Sequence, residues 1–379
     1  MIGFALVMVA LLGGATYYIA RRLHGGLRVW FPRLPFAAVL SVLGLLTLVL
    51  VAGFFRSMLP LGAGFKRVLG VFSAYWMGAF IYLLLYTLAV DALRGLGRLC
   101  RFSFVKTAAC RAAAAVAVLA LTVATVLGGA VHARQICHVS YTVEVDRQTD
   151  VSDMKLVLIS DLHLGAIGSE SRLEAIVEEI NRLSPDVVCM AGDVFDSDFA
   201  ALQDPQAAKQ TLRGLSATYG VYACLGNHDA GATARQMVGF LEACGIRVLQ
   251  DEYTLIDERL YLVGRLDGSP IGGYDGAARR ELSDVFQITD GTRPVVVLDH
   301  NPAHIGEYTD SVDLILSGHT HRGQLFPANL VTGLLYDVDY GYYRRDAYSP
   351  QVIVTSGVGY WGMPMRVGTD SEIVSITIT

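Results

Sequence analysis

Long apolar runs without charged residues dominate the first third of the chain and predict helices that cross a membrane. A helix of about 20 residues spans a hydrocarbon core of about 30 Å. Four runs approach or reach that length, at residues 1–20, 36–55, 68–90 and 112–130. The last run is shorter and rich in Ala and Gly, and a buried soluble helix is its alternative, which would leave three spans. For the first run the alternative is a cleaved signal peptide, but Arg21 and Arg22 follow the run instead of preceding it, which favours a retained anchor.

Basic residues in the short loops between these runs predict an orientation. The first and third loops contain nine Lys or Arg residues, whereas the second loop and the end of the fourth run contain four. Because basic loops stay in the cytoplasm, both termini and the whole C-terminal part are expected outside it. The chain is therefore predicted to be an integral protein of the plasma or inner membrane.

From about residue 134 the pattern changes to short apolar runs that alternate with helical periods, which is typical of an α/β domain. Strands are predicted at residues 139–145, 155–160, 187–191, 221–225, 246–249, 254–256, 260–263, 295–298, 312–316, 351–355 and 372–379. Helices are predicted at residues 169–183, 205–215, 233–244 and 276–282. The chain thus divides into a membrane region, residues 1–133, and an α/β domain, residues 134–379.

Side chains that can bind metal ions directly follow five of the predicted strands. They are Asp161 and His163, then Asp193, then Asn227 with His228 and Asp229, then His300, then His319 and His321. Ligands of open α/β sheets bind outside the carboxyl ends of the strands, so these loops are expected to converge. Any one of these residues alone is more simply a turn or surface residue. The four remaining histidines, at positions 24, 132, 138 and 304, lack this context and are left out.

The ordered motifs DLH, GD, GNHD, DHN and GHTH resemble those of the calcineurin-like metallophosphoesterase family. Within it, the chain is most similar to membrane-associated bacterial phosphoesterases and to transmembrane proteins that carry this domain. The resemblance implies an α/β/β/α sandwich and two divalent metal ions. It assigns one ion to Asp161, His163, Asp193 and His321, and the other to Asp193, Asn227, His300 and His319. It also implies that His228 is a general acid oriented by Asp196, with Asp229 as the alternative partner.

The chemistry of these residues narrows the choice of metal. Carboxylate, imidazole and amide ligands without a thiolate favour Mn, Fe, Co or Zn. The six cysteines show no CxxC spacing, so a zinc ribbon or a dithiol pair is not indicated. Cys189 and Cys224 lie in apolar strands and are expected to be small buried residues.

Charge limits the class of substrate. Residues 1–134 carry a net charge of +12, and the remainder carries −17. A strongly acidic domain repels polyanions, which argues against a nucleic-acid substrate. It does not argue against small phosphorylated molecules, because bound metal ions dominate the local field.

The resemblance implies in-line attack on phosphorus by a metal-bridged hydroxide. Phosphodiesters or pyrophosphates, including lipid-linked ones, are the expected substrates. Within enzymes the alternatives are a phosphomonoesterase or protein phosphatase and a metal-dependent amide or ester hydrolase. A metal-stabilised signalling module without turnover is the alternative outside them. Arg322 and Asp299 depart from the family pattern and are candidates for substrate choice. Arg366 is expected either to pair with a phosphate oxygen or to be a surface residue.

Overall fold

The computed structural model describes residues 2–149, 151, 153–286 and 291–379, except for the side chains of residues 2–6, 57 and 63. The chain divides into two compact units, Met1–Ala130 and Val131–Thr379. The first unit consists of long helices, and the second contains all of the β-structure of the described residues. Each unit is built around its own apolar core.

Four long helices make up the first unit. They are α1 (Ile2–Leu27), α2 (Phe36–Phe54), α3 (Ala63–Leu99) and α4 (Ala108–His132). Within the described part, three helices are long and apolar enough to cross a membrane: Phe36–Phe54, Gly64–Leu99 and Ala108–His132. The predicted span at residues 1–20 begins in the part left undescribed, and α1 continues through Arg21 and Arg22. The structure thus supports the predicted spans at residues 36–55, 68–90 and 112–130, and the span at residues 1–20 stays a prediction.

The helices of the first unit pack through a small core and leave apolar side chains outside it. Ile19 of α1, Leu43 of α2, Phe80 of α3 and Val118 of α4 are buried in this core. Large side chains elsewhere, such as Leu48 of α2, are two-thirds exposed. A helix surface that is apolar all round is the expected surface of a helix in lipid.

Twelve strands and five α-helices lie in the described residues of the second unit. The strands are β1 (Ile136–Val143), β2 (Met154–Ile159), β3 (Val187–Ala191), β4 (Val221–Cys224), β5 (Ile246–Val248), β6 (Glu252–Ile256), β7 (Leu260–Gly264), β8 (Val295–Leu298), β9 (Leu314–Ser317), β10 (Gly341–Tyr343), β11 (Gln351–Val354) and β12 (Ser371–Ile378). The helices are α5 (Leu173–Arg182), α6 (Pro205–Leu212), α7 (Ala234–Ala243), α8 (Leu282–Val285) and α9 (Ala328–Leu335).

The strands form two six-stranded mixed sheets. The first sheet has the order β1-β12-β2-β3-β4-β5, and the second has the order β10-β11-β9-β8-β7-β6. Strands β2 to β5 run parallel, as do β11, β9, β8 and β7. The predicted α/β class is therefore confirmed. The parallel arrangement also sends the carboxyl ends of the motif strands in each sheet to one edge.

The main core lies between the sheets. Leu158 and Cys189 of the first sheet and Leu298, Leu316 and Ile353 of the second belong to one buried cluster. A second cluster lies between the other face of the first sheet and helices α5 to α7, and it includes Ile176 and Met237. Strands buried on both faces explain why the motif strands are almost continuously apolar in sequence.

The predicted helix at residues 276–282 is wrong, since helix α8 is a single turn that begins at Leu282. The segment before α8 is held by contacts to residues that flank β6 and β8 instead of by its own helical hydrogen bonds. The backbone N–H of Arg280 donates to Asp251 Oδ2 at 2.7 Å, and Arg279 Nη2 donates to Asp299 Oδ2 at 2.7 Å. Helix α9 was not predicted, and none of its described residues is buried, so it adds no apolar face to the core.

Candidate metal centre

Side chains from five loops meet beside the carboxyl ends of β2, β3 and β4 of the first sheet and β8 and β9 of the second. These loops carry the seven residues predicted as metal ligands: Asp161, His163, Asp193, Asn227, His300, His319 and His321. All seven have a polar side-chain atom within 4 Å of a polar side-chain atom of another member. The two sheets together therefore build one constellation from residues far apart in sequence.

One cluster contains Asp161, His163 and His321, all buried. Asp161 Oδ1 lies 3.2 Å from His321 Nε2 and 3.8 Å from His163 Nε2. The two imidazole Nε2 atoms lie 3.1 Å apart. Three potential ligand atoms thus face one point.

A second cluster contains Asp193, His300 and His319. Asp193 Oδ2 lies 3.2 Å from His300 Nε2. His319 Nδ1 lies 2.9 Å from Asn227 Oδ1, which adds a neutral oxygen to the group. His300 Nδ1 contacts the carbonyl oxygen of Ala191 at 2.7 Å, so Nδ1 is the donor and Nε2 faces the cluster.

Asp193 connects the two clusters. Its Oδ2 lies between His300 Nε2 at 3.2 Å and His163 Nε2 at 3.8 Å. Its Oδ1 accepts the backbone N–H of His228 at 2.8 Å. One carboxylate therefore faces both groups of imidazoles and is itself held by the chain.

The residues present fit divalent cations. Asp161 Oδ1 and His300 Nε2 are buried and have no hydrogen-bond partner in the described structure, which is costly unless a ligand satisfies them. Imidazole and carboxylate atoms without a thiolate suit borderline metals such as Mn, Fe and Zn. The orphaned atoms and the donor set both indicate a cation in each cluster.

The electrostatics of the clusters agree with cation binding. Burial by itself raises the pKa of Asp193, but His300 and His163 lower it below the ordinary value, so the carboxylate stays charged. Burial lowers the pKa of His321 to about 4, which leaves its ring neutral. Against the effect of burial, Asp193 raises the pKa of His300, and the same negative charge attracts a metal ion in place of that proton. Charged carboxylates and neutral imidazoles are the forms that bind metals.

Five of the candidate ligands have a left-handed backbone. The φ angles are 56° at Asp161, 47° at His163, 51° at Asp193, 70° at His319 and 48° at His321. Residues other than Gly rarely adopt this conformation, and such residues concentrate at functional sites where the surrounding structure enforces them. The neighbouring Gly192 has no room for a side chain, since an added Cβ would lie 2.7 Å from His300 Nδ1.

Asp229 holds the motif loops together. Its carboxylate accepts the backbone N–H groups of Phe195 at 2.8 Å, Gly226 at 3.0 Å and Val194 at 3.2 Å. Burial and the nearby charge of Asp193 raise the pKa of Asp229 to about 7. With its oxygens directed at three amides, Asp229 is not the alternative partner of His228 that the sequence suggested.

His228 lies at the edge of the first cluster, with its ring centroid 5.1 Å from that of His163. The hydrogen-bond partner of its Nδ1 is the hydroxyl of Ser197 at 2.6 Å. Asp196 Oδ1 lies 3.9 Å from His228 Nδ1 and 3.5 Å from His163 Nδ1, so Asp196 acts on His228 through its charge and not through a hydrogen bond. Burial lowers the pKa of His228, whereas Asp193 and Asp196 favour its charged form.

Sequence reasoning missed Ser197. It follows Asp196 directly, and its φ of 65° turns the chain at that point. A hydroxyl four residues after the motif aspartate Asp193 is a weak signal by itself, because Ser is common in turns. Only the fold brings this loop next to the GNHD loop.

Arg366 is neither a surface residue nor directed to a substrate. It is completely buried, and its Nη2 lies within hydrogen-bond distance of the carbonyl oxygens of Ser356 at 2.8 Å, Gly357 at 2.9 Å and Gly359 at 2.6 Å. Its Nη1 contacts the carbonyl oxygen of His321 at 3.3 Å. Arg366 therefore ties a loop behind the first cluster to the backbone of His321.

The two other departures from the family pattern lie in different surroundings. The guanidinium of Arg322 packs over the ring of Tyr340 at 4.2 Å. Asp299 is buried and accepts hydrogen bonds from Arg279 and from the hydroxyl of Tyr308 at 2.6 Å. Asp299 thus anchors the segment before α8, which accounts for a carboxylate at this position without a role in substrate choice.

Comparison with known proteins identifies the same domain. Residues 154–323 match the family model described as calcineurin-like phosphoesterase. A zebrafish (Danio rerio) protein named transmembrane protein with metallophosphoesterase domain is 32% identical over 89% of this chain and 80% of its own length. An Aquifex aeolicus protein named as an uncharacterized metallophosphoesterase is 32% identical over 63% of this chain and 90% of its own length. A similarly named Helicobacter pylori protein (strain J99) is 29% identical over 60% of each chain.

The family model covers the loops that carry Asp161 through His321, and the zebrafish similarity, over 89% of the chain, extends into the helical unit. The geometry of two His and Asp clusters that share Asp193 agrees with the dinuclear divalent metal centre that this family uses. The chain belongs to the calcineurin-like phosphoesterase family and is a metal-dependent phosphoesterase.

Proposed function

We propose that this protein is a membrane-anchored dinuclear phosphoesterase that hydrolyses phosphodiester or pyrophosphate bonds, including those of lipid-linked molecules. The observation that carries the proposal is the position of Asp193, whose Oδ2 faces His300 at 3.2 Å and His163 at 3.8 Å. A shared carboxylate is the feature needed to hold two cations side by side. All four helices of the first unit act as the anchor, with α1 as the fourth span.

The ligand sets follow the two clusters. Asp161, His163, His321 and Asp193 would hold one ion, and Asp193, Asn227, His300 and His319 would hold the other. Such ions, with Mn, Fe or Zn as the candidates, acidify water and stabilise charge on phosphoryl oxygens. Asp229 keeps the GD and GNHD loops in register, and Ala191 fixes the tautomer of His300.

His228 and its neighbours are proposed to supply the proton that the leaving oxygen needs. Nδ1 of His228 is held by Ser197, so Nε2 is the ring nitrogen left to donate. The charge of Asp196, 3.9 Å from Nδ1, favours the protonated imidazole. His228 acts as the general acid, and Asp196 and Ser197 are positioning residues.

Replacing His228 with Ala is expected to slow the hydrolysis of substrates with poor leaving groups much more than that of nitrophenyl esters. A poor leaving group needs a proton in the transition state, and general acids contribute about 10²- to 10⁴-fold. The measurement is kcat on an alkyl phosphodiester and on bis-nitrophenyl phosphate with matched metal content. His138→Ala is the control, because His138 is an exposed residue that pairs with Glu179. Equal losses on both substrates would contradict the general-acid role.

Apolar surface near the clusters supports a lipid-linked substrate. The half-exposed Trp361 has its ring centroid 6.3 Å from that of His228. On the other side, the ring centroid of Tyr336 lies 6.2 Å from that of His319, and Tyr336 directly follows helix α9. Leu334 and Leu335 at the end of α9 are 86% and 73% exposed. Contact of this apolar surface with water is unfavourable, and an apolar ligand bound there would remove it.

The experiment that tests the function is a substrate panel on the full-length protein in detergent. The protein is stripped of metal, reloaded separately with Mn, Fe or Zn, and assayed with phosphomonoesters, phosphodiesters, pyrophosphates and lipid-linked versions of the last two. The proposal predicts faster hydrolysis of diesters or pyrophosphates than of monoesters, with the lipid-linked forms preferred. Preference for monoesters would support the phosphatase alternative, and hydrolysis of no phosphoester would support a module without turnover.

The catalytic unit is proposed to lie outside the cytoplasm. With four spans, the basic loops near Arg28 and Cys100 face inward and residue 347 faces outward. In intact cells a membrane-impermeant maleimide should label an otherwise cysteine-free Ala347→Cys variant and spare a variant that retains the exposed Cys100. The reverse pattern would place the catalytic unit in the cytoplasm. If both variants were labelled only after permeabilisation, residue 347 and Cys100 would both lie in the cytoplasm.

A further inference from the structure

A basic cavity lies within the first unit, among the ends of three helices. Its volume is about 220 Å³. Six cationic side chains line it, and they come from the end of α1, the end of α3, the turn before α4 and the start of α4. They are Arg21, Arg22, Arg94, Arg98, Lys106 and Arg111. Three separate segments of the chain therefore direct positive charge to one place.

Among the described residues a single carboxylate lines the same cavity, that of Asp91. It is paired with Arg22, with Nε and Oδ2 2.6 Å apart, and it accepts the hydroxyl of Tyr18 at 2.7 Å. Arg94 Nη1 lies 4.0 Å from its other oxygen. One carboxylate cannot neutralise six cations, so the cavity keeps a large excess of positive charge.

The guanidinium group of Arg94 has a donor without a hydrogen-bond acceptor. Its Nε is buried and has no hydrogen-bond partner among the residues that the structure describes, and its Nη2 makes only a 3.4 Å contact with the carbonyl oxygen of Val105. A buried guanidinium donor without an acceptor is costly, and a phosphate oxygen would satisfy it.

Apolar side chains form much of the remaining wall of the cavity. Val90 of α3 and Ala114, Ala115 and Val118 of α4 line it beside the cations. Free inorganic phosphate has no apolar part that could contact these side chains. A phospholipid has a charged headgroup next to an apolar acyl chain and so matches both parts of the cavity. Basic pockets between membrane helices on the cytoplasmic side are known to suit anionic headgroups.

We propose that the cavity formed by α1, α3 and α4 binds the phosphate headgroup of an anionic phospholipid, with the acyl chain along Val90 and Val118. An oxygen of the headgroup phosphate accepts a hydrogen bond from Arg94 Nε, and the charge of the phosphate balances those of Arg98 and Arg111. This site belongs to the helical unit and does not depend on the identity of the substrate hydrolysed by the catalytic unit.

The test measures lipid binding to the full-length protein. The protein in neutral detergent is mixed with micelles that contain phosphatidylglycerol or phosphatidylcholine, and retained lipid is quantified by native mass spectrometry. A separate arm uses inorganic phosphate alone. We expect saturable retention of phosphatidylglycerol, little retention of phosphatidylcholine, and no competition by phosphate at millimolar concentration.

Three matched double variants locate the site. Arg98→Gln with Arg111→Gln should weaken phosphatidylglycerol binding by about tenfold or more, since each basic side chain near a membrane surface contributes about 1 kcal/mol. Arg98→Lys with Arg111→Lys keeps the charge and should keep most of the binding, which separates a charge effect from misfolding. Arg28→Gln with Arg101→Gln removes equal charge outside the cavity, just after the ends of α1 and α3, and should have little effect.

Three results would overturn the site. Equal losses for the cavity pair and the Arg28 and Arg101 pair would show diffuse attraction to the loops in place of a defined pocket. Equal retention of the two lipids, or displacement of phosphatidylglycerol by inorganic phosphate, would exclude a phospholipid site.

Discussion

An Asp193→Asn protein is expected to lose at least one of its two metal ions and to hydrolyse its substrate more than about 100-fold more slowly, since loss of a mere supporting partner of a metal ligand already costs 10- to 100-fold. The amide keeps the shape of the side chain, and its oxygen can still accept the N–H of His228, as Asp193 Oδ1 does at 2.8 Å. Its NH₂ group would then face His300 and His163, where the structure needs a negative oxygen. The fold should survive while the shared ligand is lost.

The measurement combines metal content by elemental analysis with kcat on a phosphodiester. Asp198→Asn is the matched control, because Asp198 lies in the same loop but is used to cap the turn at Ala200. The control should keep both ions and most of the activity. Two bound ions and full activity in Asp193→Asn would contradict the shared-ligand arrangement.

Replacing Arg366 with Met is expected to lower the free energy of unfolding by about 3 kcal/mol, because hydrogen bonds from a charged donor are strong and the abandoned carbonyl groups stay buried. Its guanidinium contacts the carbonyl oxygens of Ser356, Gly357 and Gly359, and that of His321. For a unit of this size such a loss corresponds to a fall in Tm of roughly 6–12 °C. Activity should fall as well, since the same guanidinium holds the backbone of His321.

Thermal unfolding of the full-length protein in detergent and metal content are the two measurements for Arg366→Met. Arg366→Lys should recover only part of the stability, because a compact ammonium group cannot contact all the carbonyl groups that the planar guanidinium reaches. Arg345→Met is the control, since Arg345 is more than half exposed and forms a surface pair with Asp337. An unchanged Tm in Arg366→Met would mean that the loop carbonyl groups find other partners.

Much of the candidate site was predictable because its chemistry is local in sequence. Asp161 and His163 follow β2 directly, as His319 and His321 follow β9, so each pair is presented by the strand that precedes it. The apolar strands identified the sheets, and parallel pairing then determines which ends carry the loops. Contacts between different loops were harder to predict. The hydrogen bond between Ser197 and His228, which come from two separate loops, is an example.

The failed predictions have a common cause. The helix expected at residues 276–282 is replaced by a segment without regular structure, in which Asp251 and Asp299, from elsewhere in the chain, bind Arg280 and Arg279. Arg366 is polar and was expected near solvent or substrate, but in the interior four carbonyl groups lie within hydrogen-bond distance of its two Nη atoms. Tertiary hydrogen bonds override local pattern wherever they replace those that a helix or water would supply.

The amino-acid sequence of this protein contains enough information to identify its apolar helices, its α/β domain, its family and the order of its metal-binding motifs. These properties depend on the periodicity of apolar residues and on short motifs, both of which are local. That Asp193 faces both clusters, that Arg366 supports His321 and that six cations surround one cavity follow from how distant segments pack. Packing depends on contacts between residues far apart in the chain, and no local pattern records such contacts.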